Sequence, residues 1–475
     1  MRLFFIEWSG PEPVRVTAEL SKKHDIIYWS GLDLEKYTDT STFPGTIFHE
    51  YADALAGRPA RGVATENFIY PGEDLLAELS ETESIVLTMM NKKYEWMEVL
   101  ERKDFYYKLV WYWEGVLETY APDAIIFPII PHTVYDFVIY ALAQRRGIKT
   151  IMFDFTRVGH RLLLQNDFKE GSRRLKQEME NVRGRHFTLN DLSPDVQRYY
   201  EQEAVAAGND KPQDVQGLID RYTGLNRLMI KFRGVFASIK DLSIFKRGVQ
   251  YIIKQFTSNL KKEHSRFETA VNWQEKFIYV PLHYQPECTT SPMGGVFVDQ
   301  ILMIEILAAS LPKGWVVYVK EHPFQWLPRG LNYFNYRYRG YYERISKIKN
   351  VKLVPIGTST FTLIKQAQAV ATATGTAGWE AVFRGKPALC FGYPWYRHCL
   401  GVFKVSDVTS CRQVLEKIVG SLAVDHRAVI DYLAAFDRAS VRGYVEYYGR
   451  EISTVSEQEN IINLVKALAA ELEHS

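Results

Sequence analysis

Two stretches of this chain alternate short β-branched or aromatic runs with helix-like segments, and this alternation constrains the fold more than any other feature. The clearest example reads as a strand at Ala124–Phe127, a helix at Val134–Arg146, a stop at Gly147 and a strand at Thr150–Phe155. A strand, a crossover helix and a second strand in one sheet pair in parallel. The pattern therefore predicts a doubly wound parallel sheet.

The 475 residues exceed what one hydrophobic core usually holds, so two domains are expected. The alternation returns between Trp273 and Val424, which predicts a second doubly wound domain. Between the two stretches, residues 221–266 contain eleven Lys or Arg against two Asp or Glu, interleaved with apolar residues. We therefore predict an α/β chain with a first parallel-sheet domain at 1–190, a basic helical insertion at 191–270, a second parallel-sheet domain at 271–424, and C-terminal helices at 425–475 that pack back on the first domain.

Composition and the first residues of the chain indicate which broad class of protein to expect. Hydrophobic residues make up 47% and charged residues 24%, as in a folded chain, and a net charge of +2 gives no indication of a nucleic-acid partner. The opening MRLFFIEWSG lacks a signal peptide's basic and long apolar regions, and no window has the ~18–20 apolar residues of a spanning helix. The four cysteines show no CxxC or regular spacing, so we predict reduced thiols in a cytoplasmic protein.

Several catalytic motifs are missing from the sequence. No GxxxxGK[ST] loop occurs and no GxGxxG follows the first strands, which argues against P-loop nucleotidases and dinucleotide enzymes. The sequence also lacks DxD, HExxH and Cys/His sets with zinc spacing. We therefore predict neither a cofactor nor a catalytic metal.

Polar side chains follow four consecutive predicted strands of the second domain, at the point where each strand ends. In open parallel sheets the carboxyl ends of the strands line the binding crevice. For any single residue a capping or turn role is the more common explanation, but four polar strand ends together indicate a ligand site. The groups are His283, Gln285 and Glu287; Lys320, Glu321 and His322; Gly357, Thr358, Ser359 and Thr360; and Thr374, Gly375 and Thr376.

The residue types at these ends suit an anionic ligand. GTSTF places hydroxyls and the N–H groups of a helix start at one point, which binds an anion or is an ordinary N-cap. Glu380, about one turn into the next helix, is suited to accept both hydroxyls of a ribose, or is a solvated glutamate. His322 either donates a hydrogen bond to a phosphate or is structural.

Carboxylates offer candidates for catalysis. Glu287 stands at the predicted mouth of a cleft, where it could act as nucleophile or base toward a sugar carbon; a turn glutamate is the equal alternative. In the first domain, FDFTRVGHR and FPIIPHTVYD also place charged residues after strands, where surface salt bridges explain them equally well. These residues are Asp154, Arg157, His160 and Arg161, and His132 and Asp136.

Three motifs, PLHYQPE, YVKEHP and GTSTFTLIKQAQAVATATGTAGWEAVFRGKPALCFG, give the second domain a family resemblance. It resembles the nucleotide-binding half of bacterial capsule polysaccharide glycosyltransferases, a group that includes Kdo transferases and is similar to bacterial sialyltransferases. The resemblance is strong over 277–401 and fair over 122–164. It implies a GT-B fold, with two Rossmann-like domains facing across a cleft. It also implies transfer of a CMP-activated 2-keto acid sugar (Kdo, or a sialic, pseudaminic or legionaminic acid) to a bacterial surface polysaccharide.

The resemblance also implies residue roles. His322, Ser359 and Thr360 would bind the CMP phosphate and Glu380 the ribose. Glu287, 35 residues before His322, takes the place of the acidic nucleophile of retaining Kdo transferases, where an Asp is more usual. The predicted site is completed by Lys320, Gly375 and Thr376 for the nucleotide, by Gln285, Arg157 and Arg161 for the donor carboxylate or acceptor, and by Asp154 as a second catalytic candidate.

Two further questions stay open at this stage. The basic segment 221–266 is either an amphipathic surface for an anionic membrane, bringing the enzyme to a lipid-linked acceptor on the inner face of the cytoplasmic membrane, or a helical hairpin packed on the first domain. The whole protein is either a glycosyltransferase or a non-catalytic glycan- or nucleotide-binding subunit of a capsule assembly system.

Overall fold

A computed structural model describes residues 1–94, 96–205, 260–285, 287–326, 337–420 and 424–473. The chain divides into two compact units. Unit 1 comprises 1–200, 291–296 and 427–475, and unit 2 comprises 201–290 and 297–426. Most of the predicted basic helical insertion lies outside the described residues; its last part forms a helix at Leu260–Phe267.

Unit 1 is built on a six-stranded sheet with the order β3-β2-β1-β4-β5-β6. All neighbours pair in parallel except β5 and β6, which are antiparallel at the edge. This order has a topological switch point between β1 and β4, where ligands bind in open α/β sheets. The strands are β1 (Arg2–Phe5), β2 (Asp25–Gly31), β3 (Ile47–Glu50), β4 (Ala124–Phe127), β5 (Lys149–Phe155) and β6 (Leu162–Gln165).

Helices cover both faces of this sheet. The predicted helix after β4 is present at Tyr135–Arg145, and the C-terminal helix, Glu457–Glu473, contributes Leu464 and Leu468 to a core cluster that includes Phe5 of β1. The helices of unit 1 are α1 (Pro11–Leu20), α2 (Leu34–Tyr37), α3 (Tyr51–Leu55), α4 (Glu73–Glu78), α5 (Ser80–Met89), α6 (Val99–Tyr120), α7 (Tyr135–Arg145), α8 (Arg173–Val182), α9 (Pro194–Val205), α16 (His426–Ala439), α17 (Tyr447–Ile452) and α18 (Glu457–Glu473).

Unit 2 repeats the same topology. Its strand order is β12-β11-β10-β7-β8-β9, all parallel, which places the switch point between β7 and β10. The strands are β7 (Lys276–Pro281), β8 (Trp315–Lys320), β9 (Val351–Val354), β10 (Ala369–Thr372), β11 (Ala388–Cys390) and β12 (Val402–Lys404), and the helices are α10 (Leu260–Phe267), α11 (Ile301–Ser310), α12 (Tyr341–Ser346), α13 (Thr360–Gln366), α14 (Thr376–Phe383) and α15 (Val408–Val419).

The apolar runs of unit 2 follow from burial on both faces of its sheet. In β7, Ile278 and Val280 face one core cluster while Phe277 and Tyr279 face another. A strand whose two faces are both buried consists of consecutive apolar residues, and polar residues first occur where the burial ends. The predicted fold class, an α/β chain with two Rossmann-like units, each built on a doubly wound sheet, is confirmed. Among the described residues, no helix has the length and apolarity to cross a bilayer.

Candidate functional site

His283 joins the two strand ends at the switch point of unit 2. Its backbone N–H donates to Gln300 Oε1 at 2.7 Å and its Nδ1 lies 3.2 Å from the same oxygen, while its Nε2 accepts the N–H of Thr374 at 3.1 Å. Burial lowers the pKa of His283 to about 4. The ring is therefore neutral with its proton on Nδ1, and it fixes the turn that follows β10.

Gly375 is the N-cap of helix α14 and lies directly beside this histidine. A Cβ at position 375 would lie 2.9 Å from Thr372 Oγ1 and 3.1 Å from His283 Nε2, so a larger residue would push these side chains away. Gly375 N–H donates to Thr372 Oγ1 at 3.0 Å. Thr376 is exposed in the first turn of the helix, and Glu380 is half-buried one turn further on. The backbone at the start of α14 is therefore held close to the switch point.

Tyr279 is buried in β7 near Thr360 of α13 and Glu380 of α14. Burial raises the pKa of Tyr279, its hydrogen bond with Thr360 lowers it, and the nearby Glu380 carboxylate raises it. The predicted phosphate-binding hydroxyl and the predicted ribose-binding carboxylate therefore lie around the same buried tyrosine.

Lys320 brings a buried cation to the start of α13. Its Nζ donates to Thr360 Oγ1 at 2.7 Å. Ser359 is the N-cap of this helix, because its Oγ accepts the N–H of Thr362 at 3.1 Å. The structure thus gives Ser359 the capping role, whereas Lys320 and Thr360 combine positive charge with a hydroxyl at the ends of β8 and β9.

His322 follows directly, half-buried at the end of β8. Its Nδ1 accepts the N–H of Phe324 at 3.2 Å, so in the neutral ring the proton is on Nε2. The rings of Tyr284 and Phe324 lie 5.9 and 5.2 Å from the imidazole centroid. This orientation makes Nε2 the nitrogen that is able to donate to a ligand oxygen.

Glu321, between Lys320 and His322, forms a fully buried ion pair that the sequence analysis did not identify. Its carboxylate accepts from Arg337 Nε at 3.0 Å and Nη2 at 3.1 Å, and from Tyr342 Oη at 2.7 Å. Burial raises the pKa of Glu321, but the charge and hydrogen bonds of Arg337 outweigh it and hold the pKa below its ordinary value. Glu321 Oε1 also accepts the backbone N–H of His322 at 2.6 Å. The ion pair therefore fixes the backbone on which His322 stands.

Arg337 also clamps the end of β7, which changes the role of Gln285. The arginine donates to the side-chain oxygen of Gln285 and, at 2.9 Å, to the carbonyl oxygen of His283. Gln285 Nε2 donates to the carbonyl oxygen of Val298. Both ends of this buried amide hold the loop together, so the predicted ligand role of Gln285 is replaced by a structural one. A charged glutamate that is buried requires a cationic partner. This requirement is the feature from which a partner such as Arg337 could have been expected.

Glu287 lies in the turn beyond this loop. Its carbonyl oxygen accepts the N–H and Oγ1 of Thr290, both at 2.9 Å, and its side chain is half-buried. Thr374 Oγ1 donates to the carbonyl oxygen of Thr289 at 2.5 Å, which ties the turn to the end of β10. The turn places Glu287 near the same switch point, and its catalytic role stays a prediction.

The residues of unit 1 that were predicted to belong to the site have different surroundings. All three guanidinium nitrogens of Arg161 are occupied: Nε and Nη2 by Asp195 at 2.7 and 2.8 Å, and Nη1 by Asp437 at 2.7 Å. This buried clamp replaces the predicted ligand role of Arg161. Asp154 lies within β5 rather than past its end, buried, and accepts from Gln165 Nε2 at 3.4 Å. Arg157 is exposed just after β5 and remains a candidate.

The described residues form no cluster of three His, Cys, Asp or Glu side chains arranged to hold a metal ion. The groups at the ends of β8 and β9 are instead a lysine, a hydroxyl and a histidine N–H, together with the backbone at the start of α13. Such donors suit a phosphate.

Residues 269–410 match the family model described as capsule polysaccharide biosynthesis protein. This range contains the carboxyl ends of β7, β8, β9 and β10, including Glu287, His322, Thr360 and Glu380. The resemblance inferred from the motifs is therefore confirmed for this segment, which is less than half of the chain. No curated protein sequence matches the chain.

Among solved structures, two similar ones are Thermosulfurimonas dismutans KpsC domains. The KpsC beta Kdo 2,4 transferase is 12% identical, covering 66% of this chain and 79% of that chain with a TM-score of 0.32. The KpsC beta Kdo 2,7 transferase is 12% identical, covering 75% and 88% with a TM-score of 0.30. A UDP-GlcNAc 2-epimerase from Methanocaldococcus jannaschii is 13% identical, covering 90% and 94% with a TM-score of 0.22. Likeness at this level assigns neither substrate nor reaction.

Proposed function

We propose that this protein is a glycosyltransferase of capsule polysaccharide biosynthesis that uses a CMP-activated 2-keto acid sugar. The observation that carries the proposal is the buried Lys320 Nζ, 2.7 Å from Thr360 Oγ1, next to a histidine whose Nε2 bears the proton. The match of residues 269–410 to the capsule polysaccharide family supports the same reading. These groups suit one phosphate at the end of a parallel sheet.

In this proposal the CMP phosphate lies against Lys320, His322 and Thr360. Gly375 and Thr376 bring the N-terminus of α14 toward the nucleotide, and Glu380 accepts the ribose hydroxyls. Ser359 acts indirectly, by capping α13. The glutamate of the KEHP motif is explained separately, because Glu321 pairs with Arg337 and holds the backbone of His322 in place.

The chemistry needs a stabilised leaving group and a carboxylate. When the bond between the anomeric carbon and the phosphate oxygen breaks, the electron pair goes to the phosphate, and Lys320 and His322 stabilise that charge. The Glu287 carboxylate forms an ester with the anomeric carbon as the phosphate leaves. An acceptor hydroxyl, which loses its proton to solvent, then bonds to that carbon, and the carboxylate departs with its electron pair, giving net retention. A CMP-sugar has a single phosphodiester, so we propose that a metal ion is not required. Arg157, exposed just after β5, is kept as a candidate to bind the acceptor.

The donor class is tested by incubating the protein with CMP-Kdo and a panel of CMP-nonulosonates and measuring CMP release. We expect turnover of one donor class, largely unchanged by EDTA. Glu287→Gln should abolish transfer and leave CMP affinity intact. His322→Ala should weaken CMP binding at least tenfold, since a charge-assisted hydrogen bond contributes about 1.5–3 kcal/mol.

Other results would redirect the proposal. CMP binding without turnover of any donor would favour the non-catalytic binding subunit. Full transfer by Glu287→Gln would remove that residue from catalysis, and a strict Mg²⁺ or Mn²⁺ requirement would count against the donor class. Calorimetry showing unchanged CMP affinity in His322→Ala would remove the phosphate site.

We further propose a cytoplasmic location, with a glycan acceptor that is carried on a lipid. The basic segment 221–266, of which 221–259 lies outside the described residues, supplies the positive charge for an anionic membrane. Co-sedimentation with anionic vesicles should weaken with salt and with Lys246, Arg247 and Lys254 changed to Gln. No sedimentation at low salt would leave only a packing role for the segment.

A further inference from the structure

One carboxylate joins helix α10, at the end of the basic segment, to helix α12. Glu263 of α10 accepts the backbone N–H of Gly340 with its Oε2 at 3.0 Å. Its Oε1 accepts the N–H groups of Tyr342 and Glu343 at 3.0 and 3.4 Å. All of these residues belong to unit 2, and the proposed function has given Glu263 no role.

Helix α12 does not cap its own N-terminus. Its N-cap residue, Gly340, has φ +89° and no side chain that could accept the N–H groups of the first turn. Such groups need an acceptor from elsewhere, because the helix offers them none. The half-buried carboxylate of Glu263 supplies it. The position of α12 therefore depends on its contact with α10.

Tyr342 connects this cap to the buried ion pair of unit 2. Its N–H is held by Glu263, and its hydroxyl donates to Glu321 Oε2 at 2.7 Å. The tyrosine is fully buried, and its ring packs edge-on against His264 of α10 with the centroids 5.0 Å apart. A displacement of α10 would therefore move the hydroxyl that Glu321 accepts.

Glu321 extends the connection to the proposed phosphate site. One oxygen of its carboxylate accepts from Tyr342, and the other accepts the backbone N–H of His322 at 2.6 Å. The donors around a buried carboxylate fix its position, since leaving any of them without an acceptor costs free energy. A continuous chain of hydrogen bonds and one tyrosine therefore links α10 to the histidine that is proposed to bind phosphate.

The residues that follow α10 are joined to the neighbouring strand. Thr269 N–H donates to the carbonyl oxygen of Leu353 in β9 at 2.7 Å, and Glu268 forms a parallel bridge with the same leucine. Strand β9 leads to Thr360, another proposed phosphate ligand. The end of the basic segment is thus attached directly to β9 and, through Tyr342, to the end of β8.

We infer that Glu263 is a positioning residue of the proposed phosphate site: through Tyr342 and Glu321 it holds the backbone of His322 so that Nε2 can donate to the ligand. The inference rests on the proposed function. The Glu263 carboxylate is occupied by the start of α12, so it acts on the ligand through these residues. This assigns residues 260–266 of the basic segment a role within unit 2.

A first experiment follows the backbone of His322 without using activity. In protein labelled with ¹⁵N at histidine, the His322 amide is the resonance that disappears in His322→Ala. Glu263→Ala should shift it, because the carboxylate that accepts this N–H moves. The matched variant Glu275→Ala should leave it in place. Glu275 directly precedes β7 and accepts from Lys352 and Tyr318 of the same unit.

A second experiment measures CMP affinity in the same two variants by calorimetry, at a temperature where both are folded. Glu263→Ala should weaken CMP binding about 2- to 30-fold, the range expected for a residue that acts through a packed network. Glu275→Ala should bind CMP as the wild-type protein does. A purely structural role of Glu263 would lower the free energy of unfolding in both variants and leave both affinities unchanged.

A third variant, Tyr342→Phe, tests the route. It removes only the hydroxyl that Glu321 accepts, so it should also shift the His322 amide and weaken CMP binding. The double variant with Glu263→Ala should lose less affinity than the product of the two single losses, because both changes break the same connection. Independent losses would overturn the inference. If Glu263→Ala does not fold, an unshifted His322 amide in Tyr342→Phe would overturn it.

The outcomes separate the inference from the proposed function. If the wild-type protein binds CMP, unchanged affinity or an unshifted His322 amide in Glu263→Ala would overturn the role of Glu263 alone. Equal changes in Glu275→Ala would do the same. If the wild-type protein binds no CMP, the proposed function fails and the role in phosphate binding falls with it, whereas a shifted amide would still show that Glu263 holds the backbone of His322.

Discussion

The two sheets of this protein have the same strand order but carry different ionisable groups at and beside their switch points. In unit 2, His283 is held neutral, Lys320 supplies a cation at the neighbouring strand end, and Glu321 is fully paired with Arg337. In unit 1, Glu7 and Asp136 share the equivalent position, and burial and mutual repulsion raise the pKa of Glu7. One topology therefore carries a lysine close to a neutral histidine in one unit and a pair of carboxyl groups in the other. Fold alone does not set function; the side chains at the strand ends do.

The largest effect should come from breaking the buried ion pair of unit 2. Arg337→Met leaves Glu321 charged, buried and unpaired, so we expect a loss of about 3–5 kcal/mol in the free energy of unfolding, measured by urea denaturation. Because Glu321 also holds the backbone N–H of His322, CMP affinity should fall as well. Calorimetry at a temperature where the variant is folded measures that fall.

Unit 1 offers a matched control for this variant. Arg161 is buried too and pairs with Asp195 and Asp437. Arg161→Met should also lower stability, while leaving CMP affinity unchanged. Equal loss of CMP affinity in both variants would show that Arg337 has no specific link to the phosphate site.

A smaller effect on stability is expected when either of two glycines in similar motifs of unit 2 is changed to alanine, and its size should differ between the two. A Cβ at Gly375 would press on Thr372 Oγ1 and His283 Nε2, whereas one at Gly357 would meet nothing within 4 Å. Gly375→Ala should lower the free energy of unfolding by about 1–3 kcal/mol, since overpacking shifts its neighbours. Gly357→Ala should stay within about 0.5 kcal/mol. Equal denaturation midpoints for the two variants would contradict the close approach at Gly375.

The sequence predicted the strand ends of unit 2 well because their cause is local. The polar groups that the sequence placed after these strands begin at His283 and Lys320, and the structure ends β7 at Pro281 and β8 at Lys320. A strand buried on both faces shows its limits directly as a change from apolar to polar residues. The roles assigned to the residues at those ends, including Glu287, stay predictions.

Contacts between distant parts of the chain were beyond the sequence pattern. Arg337 reaches Gln285 across 52 positions, and Thr133 reaches Glu7 across 126. The edge strand β6 was missed too, since its four residues, LLLQ, form a short apolar run that fits helix or strand equally. The burial and the partners of Arg161 and Gln285 also depend on contacts between distant parts of the chain. Because the sequence does not show such contacts, it suggested ligand roles for both residues.

The two switch points should also respond to pH in opposite directions. The pKa of Glu7 rises from about 4.5 to about 8 on folding, so its contribution to stability is complete below pH 4.5 and is lost as the pH rises through 8. The pKa of His283 falls from 6.5 to about 4, so its contribution is complete above pH 6.5 and is lost as the pH falls toward 4. Each slope is at most ~1.4 kcal/mol per pH unit.

Urea denaturation between pH 4 and 9 checks this prediction with two variants. Glu7→Gln should remove the decline in stability between pH 4.5 and 8 and leave the low-pH limb in place. His283→Asn should flatten the rise between pH 4 and 6.5 and leave the high-pH limb in place. The comparison between the units fails if each variant instead shifts the whole curve by a constant amount, because the two groups would then titrate alike in the folded and unfolded chain. If the variants change only the stability at high pH, the raised pKa of Glu7 in unit 1 is confirmed and the lowered pKa of His283 in unit 2 is contradicted.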